Sequence, residues 1–196
     1  IDRNVGRIKQ ALPRHVRYVA VVKADAYGHG MPEVARRLLQ AGVDAFAVAN
    51  VAEAIRLREV GHEGDTLLLS PTLPDEVARA AENGFDLTIN SLEEVKAFAA
   101  WGSSHGRKVR VHVKVDTGMG RAGVWHECVR EVFAQVLASP GLEWRGVYTH
   151  FSDADADTAY TSQQRRIFLD LLESIPAEVR AQLLIHADNS AGLESF

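Results

Sequence analysis

Cysteine is almost missing from this chain: Cys128 is the single one in 196 residues. An intramolecular disulfide is therefore impossible, and a reducing compartment, the cytoplasm, is the simplest setting. Apolar runs are too short to span a bilayer, and the first residues lack the layout of a signal peptide, so no membrane partner is expected. Positive charge is scarce as well. With 22 basic against 26 acidic residues, a net charge of -4 and no lysine/arginine block, the field that draws nucleic acid is absent. The eight histidines form no H-E-x-x-H pair and there are no paired cysteines, so no metal site is expected. No G-x-S-x-G element supports a serine hydrolase. Asp153, Asp155 and Asp157 begin like a calcium loop, but Thr158 stands where the loop needs glycine and Gln164 where it needs a bidentate glutamate. That stretch reads as a solvated loop.

What remains is an ordinary globular composition, 46% hydrophobic and 24% charged, enough for one domain with a substantial core. Apolar runs with strand character recur at Tyr18 to Val22, Ala45 to Ala49, Thr66 to Leu69, Asp86 to Ile89, Val109 to Val115, Gly146 to Thr149 and Leu183 to Ile185. Between them lie helical segments, with Asn50/Glu53 and Ser91/Glu94 as capping boxes and Gly42, Gly61, Gly84 and Gly102 as expected stops. Ile167, Phe168, Leu171, Leu172 and Ile175 recur at helical period, which predicts a core-facing stripe. Strict alternation with short connections predicts an α/β fold with a parallel sheet. Polar residues end nearly every strand: Lys23, Asn50, Ser70, Asn90, Lys114 with Asp116, His150, and His186 followed by Asn189 and Ser190. Asn50, Ser70, Asn90 and Ser190 are expected to be helix caps. Polar strand ends gathered at one mouth are the mark of a (β/α)8 TIM-type barrel, here with about seven of the eight strands. Residues 1–196 read as a piece cut at both ends, since Ile1 lies in a helical pattern and a helix opens at Asn189-Ser190 just before Phe196.

The densest chemical signal is Ala20-Val21-Val22-Lys23-Ala24-Asp25-Ala26-Tyr27-Gly28-His29-Gly30, a lysine closing an apolar run ahead of a glycine-punctuated turn. Among apolar neighbours an ammonium is costly to keep charged, and the neutral amine is the form that attacks a carbonyl. This run resembles the cofactor-lysine signature of the alanine racemase family. The resemblance implies that Lys23 is the catalytic residue and carries pyridoxal 5'-phosphate (PLP) covalently, with Tyr27 beside the cofactor phosphate.

A second glycine-rich stretch, Lys114-Val115-Asp116-Thr117-Gly118-Met119-Gly120-Arg121-Ala122-Gly123, contains G-x-G-x-x-G and must be weighed as a dinucleotide fingerprint. It follows a strand and precedes a helix, yet the next strand ends in His150 rather than an acidic ribose ligand. The stretch is also similar to the racemase motif whose arginine touches the cofactor and holds the substrate carboxylate, which assigns those parts to Arg121. Lys114 matches a family lysine that is carbamylated in some members and buttresses that arginine. His150 corresponds to the residue that stacks on the cofactor ring, and Asn189 and Ser190 to the phosphate-binding helix start. Asp188 departs from the family's small residue there. The resemblance further implies interconversion of L- and D-alanine for peptidoglycan, a homodimer in which the partner subunit's tyrosine is the second base, and a C-terminal β domain not contained in this sequence. A non-catalytic PLP-holding barrel is the rival reading, but its lysine motif lacks the Tyr-Gly-His-Gly turn and the Asp-Thr-Gly-Met-Gly-Arg segment.

Overall fold

The computed structural model describes residues 1–13, 15–43, 45–187, 189 and 192, and the chain divides into two compact units, Ile1–Leu87 and Thr88–Phe196. The first unit runs α1 (Asp2–Ala11), β1 (Val19–Val21), the one-turn α2 (Lys23–Tyr27), α3 (Met31–Gln40), β2 (Ala45–Val48), α4 (Val51–Glu59), β3 (Asp65–Leu68), α5 (Val77–Glu82) and into β4 (Asp86–Ile89). Its strands pair in parallel, in the registers Val19↔Ala45, Ala45↔Asp65 and Leu67↔Asp86. Every residue of β2 is buried, as a parallel strand covered on both faces requires. The helices supply the cover with apolar residues at helical spacing: Met31, Ala35 and Leu38 from α3, and Val51, Ala54 and Leu57 from α4. Phe46 is wholly buried, worth about 2–3 kcal/mol. The Arg58 guanidinium closes this layer from below, donating to the carbonyls of His62 (2.9 Å) and Gly64 (3.1 Å) and lying 4.9 Å from the centroid of Phe85.

The second unit contains α6 (Leu92–Ser104), β5 (Val109–Asp116), the two-residue β6 (Val124–Trp125), α7 (Val129–Leu137), β7 (Leu142–Tyr148), α8 (Thr158–Leu172), α9 (Ala177–Arg180) and β8 (Leu184–His186). Here β5, β7 and β8 are parallel neighbours in the registers Lys114↔Tyr148 and Tyr148↔His186, and β6 pairs beside β5 through Val115↔Val124. Phe168, Leu171, Leu172 and Ile175 are buried as their period predicts, while Ile167 is half-buried at the margin of the stripe.

Three expectations need correction. Strand β7 begins at Leu142, four residues before the expected Gly146, because its first half, Leu-Glu-Trp-Arg, alternates in polarity instead of forming an apolar run. Gly102 does not end α6. The helix continues to Ser104, and Gly102 is demanded by packing: a Cβ there would strike the Gly141 carbonyl oxygen and stand 2.7 Å from that of Arg107. The turn out of the helix falls instead on Gly106, at φ +61°. Lastly, Ser70 caps nothing, since the next helical turn starts at Pro74, and α6 is capped by Ser91 rather than Asn90. Gly42, Gly61 and Gly84 do follow helices with positive φ, as expected.

Candidate active site

In the first unit the site is built by an unusual turn. The Val22 N–H donates to the Ala47 carbonyl (2.9 Å), extending the β1 ladder by one bond, and Lys23 follows at the carboxyl end of the strand. Ala24, Asp25, Ala26 and Tyr27 then adopt φ of 52°, 54°, 54° and 55°, a left-handed helical turn made without glycine. Each such residue costs roughly 1–2 kcal/mol, so about 4–8 kcal/mol must be recovered from contacts. The contacts are present. The Ala24 N–H donates to Glu53 Oε1 (2.8 Å), and Asp25 Oδ1 accepts from the Met31 N–H (3.0 Å) and from Arg56 Nη2 (3.0 Å). The Met31 N–H and the Arg56 guanidinium hold the Asp25 carboxyl below the usual range. Gly28 and Gly30, at φ 83° and 86°, complete the exit as expected. Lys23 itself is half-buried, not enclosed among apolar side chains, because its neighbours Val21 and Ala24 are themselves exposed. Tyr27 ends the turn and is 61% exposed, so amine and phenol both remain within reach of a ligand.

In the second unit the glycine-rich loop folds around a carboxylate. Asp116 accepts from the backbone N–H groups of Gly118 (2.9 Å) and Gly120 (2.9 Å to Oδ2), while Tyr160 donates its hydroxyl to the Gly118 carbonyl (2.8 Å). The dinucleotide fingerprint fails on this geometry: the N–H groups that would cradle a pyrophosphate are spent on Asp116, and β6, not a helix, follows the loop. Arg121 stands exposed on the loop. Lys114 is buried, its Nζ 5.7 Å from the Tyr148 ring centroid. Burial pushes the Tyr148 phenol well above its usual range, against the smaller opposing pull of the Thr88 hydroxyl at 2.9 Å and of Arg121. His186 stacks on Tyr148 (4.7 Å, 7°), lies 3.1 Å through Nε2 from His112 Nδ1, and is pushed down to about 4 by burial. Asp157, the last acid of the supposed calcium loop, caps α8 by accepting from the Tyr160 N–H (2.8 Å). Among the described residues no three His, Cys, Asp or Glu side chains cluster to hold a metal.

His150 lies just past the end of β7, after Thr149, and its carbonyl is met at 3.5 Å by the amide of Gln164. Gln164 is wholly buried: its Oε1 accepts from the Ser152 N–H (3.1 Å) and its Nε2 donates to Thr117 Oγ1 (3.3 Å), tying the glycine loop to the strand end that bears His150. Thr149 completes the tie, at 2.8 Å from Thr117 Oγ1 and 2.9 Å from the Val115 carbonyl. Sequence reasoning missed Gln164 as a functional residue, although it stands four residues before Phe168 on the line of the apolar stripe, where a polar side chain asks for an explanation. It also missed Glu53's reach to Ala24. Asn189 Oδ1 accepts from the Gly192 N–H (2.8 Å). Ser190 and Asp188 lie outside the described residues.

Lys23 and Tyr27 thus share one turn of the first unit, whereas Arg121, His150 and Asn189 follow the carboxyl ends of β5, β7 and β8 along one edge of the second unit's sheet. The first unit thus offers a primary amine and a phenol, groups that suit an aldehyde and a phosphate, and the second offers a guanidinium and an imidazole, groups that suit a carboxylate and an aromatic ring.

Comparison with known proteins identifies the family. The family model "Alanine racemase, N-terminal domain" matches residues 1–196. Alanine racemases of Streptococcus pyogenes and Desulforamulus reducens are each 38% identical, over 97% and 100% of this chain and 51% and 54% of their own length. The chain therefore spans about half the length of these curated relatives. Among solved structures, alanine racemase from Clostridium difficile 630 matches with a TM-score of 0.89 at 34% identity, over 97% of this chain and 50% of that one. A histidine racemase from Leuconostoc mesenteroides subsp. sake matches with a TM-score of 0.88 at 29% identity, over 100% of this chain and 53% of that one. The fold is accordingly the expected α/β architecture of parallel strands, an incomplete TIM-type barrel. With the lysine and arginine motifs in place and the whole length matched, the chain belongs to the alanine racemase N-terminal-domain family.

Proposed function

We propose that this chain is the cofactor-binding part of a cytoplasmic, PLP-dependent racemase that interconverts L- and D-alanine for peptidoglycan and works as a homodimer. The single observation that carries the reading is Lys23 at the entry of the left-handed turn, within a chain 38% identical to alanine racemases over nearly its whole length. The structural neighbour that racemises histidine shows that this fold serves more than one side chain; alanine is preferred because the 38% identical relatives bear that name.

When bound, PLP supplies an aldehyde that condenses with an amine with loss of water, and a conjugated ring that takes up the electron pair left when Cα loses its proton. Lys23 Nζ would hold the cofactor, and its free amine would move a proton at one face of Cα. Arg121, permanently charged and able to offer paired donors, binds the substrate carboxylate. Tyr27 would meet the cofactor phosphate, Asn189 and Ser190 are assigned to the same group by the family pattern, and His150 would cover one face of the cofactor ring. The opposite face of Cα requires a second base, expected from a tyrosine of the partner subunit.

Borohydride reduction of the full-length protein with PLP, followed by peptide mapping, tests the assignment. A reduced adduct on Lys23 is expected; an adduct on Lys114, or on no lysine, overturns it.

A further inference from the structure

We propose that Glu53 is a positioning residue for Lys23: its carboxylate clamps the peptide that follows the lysine and so holds the left-handed turn in the conformation that presents the amine. The inference rests on the reading of Lys23 given above.

An ordinary capping box asks one glutamate oxygen to reach back to the start of its own helix. Glu53 does this and more. Its own N–H is held by the Asn50 side chain (3.0 Å), its Oε2 accepts from the Ala49 N–H (2.7 Å), and its Oε1 leaves α4 altogether to accept from the Ala24 N–H (2.8 Å). The comparable Glu94 reaches back only to the start of its own helix, accepting from Asn90 and from the Ser91 backbone. The extra bond falls on the amide joining Lys23 to the first left-handed residue, at φ 52°. Arg56, one turn further along α4, grips the next residue through Asp25 Oδ1. A single helix thus holds two successive residues of a strained turn, and without that grip the turn relaxes toward ordinary backbone angles, swinging the Lys23 side chain away.

The test compares full-length wild type with E53Q and N50A. Glutamine keeps the length but has one acceptor oxygen, so one of the two N–H groups is left facing an NH2. N50A weakens the α4 cap without touching Ala24. The readouts are the PLP concentration for half-maximal borohydride trapping on Lys23, hydrogen exchange at the Ala24 amide, and the melting temperature. E53Q is expected to raise the half-loading concentration about tenfold, the worth of one charge-assisted bond discounted for partial exposure, and to accelerate Ala24 exchange. N50A is expected to lower the melting temperature with wild-type loading. Should E53Q not fold, E53D, which retains the charge one methylene short, is expected to show the same loss in lesser degree. Wild-type loading in E53Q, or equal loss in N50A, overturns the positioning role. No Lys23 adduct in wild type overturns the functional reading instead.

Discussion

Replacing Gly102 with alanine sets two physical effects against each other and makes the sign of the outcome decisive. Gly102 sits inside α6, where alanine is intrinsically better by about 1 kcal/mol. The added Cβ, however, would strike the Gly141 carbonyl oxygen and stand 2.7 Å from the Arg107 carbonyl oxygen. Neither is a side chain that can rotate away, so the helix must shift as a body against the residues leading into β5 and β7. Overpacking of this kind costs about 1–3 kcal/mol, and rigid backbone obstacles put it at or above the upper end. The net expectation is a loss of about 2 kcal/mol, or roughly a 1 M drop in urea midpoint at typical slopes. Gly6→Ala is the control: Gly6 lies inside α1 with nothing within 4 Å of where a Cβ would stand, and alanine should raise the midpoint there. Urea titration followed by circular dichroism reads both. A G102A midpoint that rises as G6A does would refute the packing argument.

Further outcomes follow from the second unit. His186 is pushed from 6.5 to about 4 by burial, so the unfolded chain takes up its proton first as pH falls. Its contribution is complete above pH 6.5 and is lost between there and about 4; His186 keeps some solvent access, so about 3 kcal/mol is the ceiling. H186Q should therefore flatten the pH dependence of the urea midpoint across that window, and an unchanged slope would count against it. Arg121→Ala should alter stability by less than about 0.5 kcal/mol because the side chain is exposed, yet lower kcat/KM for alanine by more than about 30-fold through the lost carboxylate contact. Equal loss of folded protein and activity would make Arg121 structural.

Strand positions were legible where apolar runs are continuous: β2, β4 and β5 fall within a residue of their sequence limits. The start of β7 was not, because alternating polarity there carries no run to read. Gly28 and Gly30 announced a turn after Lys23, but nothing in Ala-Asp-Ala-Tyr signals left-handed backbone. That conformation is imposed from outside, by Glu53 and Arg56, residues about thirty positions away in sequence. Gly102 was misread for a related reason: a glycine needed for close approach looks the same in sequence as one needed for a stop. That Lys23 and His150 each follow a strand end was legible, whereas the buried amide of Gln164 that braces the ends of β5 and β7 was hidden in a helical stripe.

On this reading Lys23 drives alanine racemisation. Full-length wild type and K23A, each supplied with PLP and L-alanine in deuterated water, should be followed by chiral chromatography and mass spectrometry. Wild type should form D-alanine carrying solvent deuterium at Cα, and K23A essentially none. D-alanine at the wild-type rate from K23A, or no D-alanine from wild type, would contradict it.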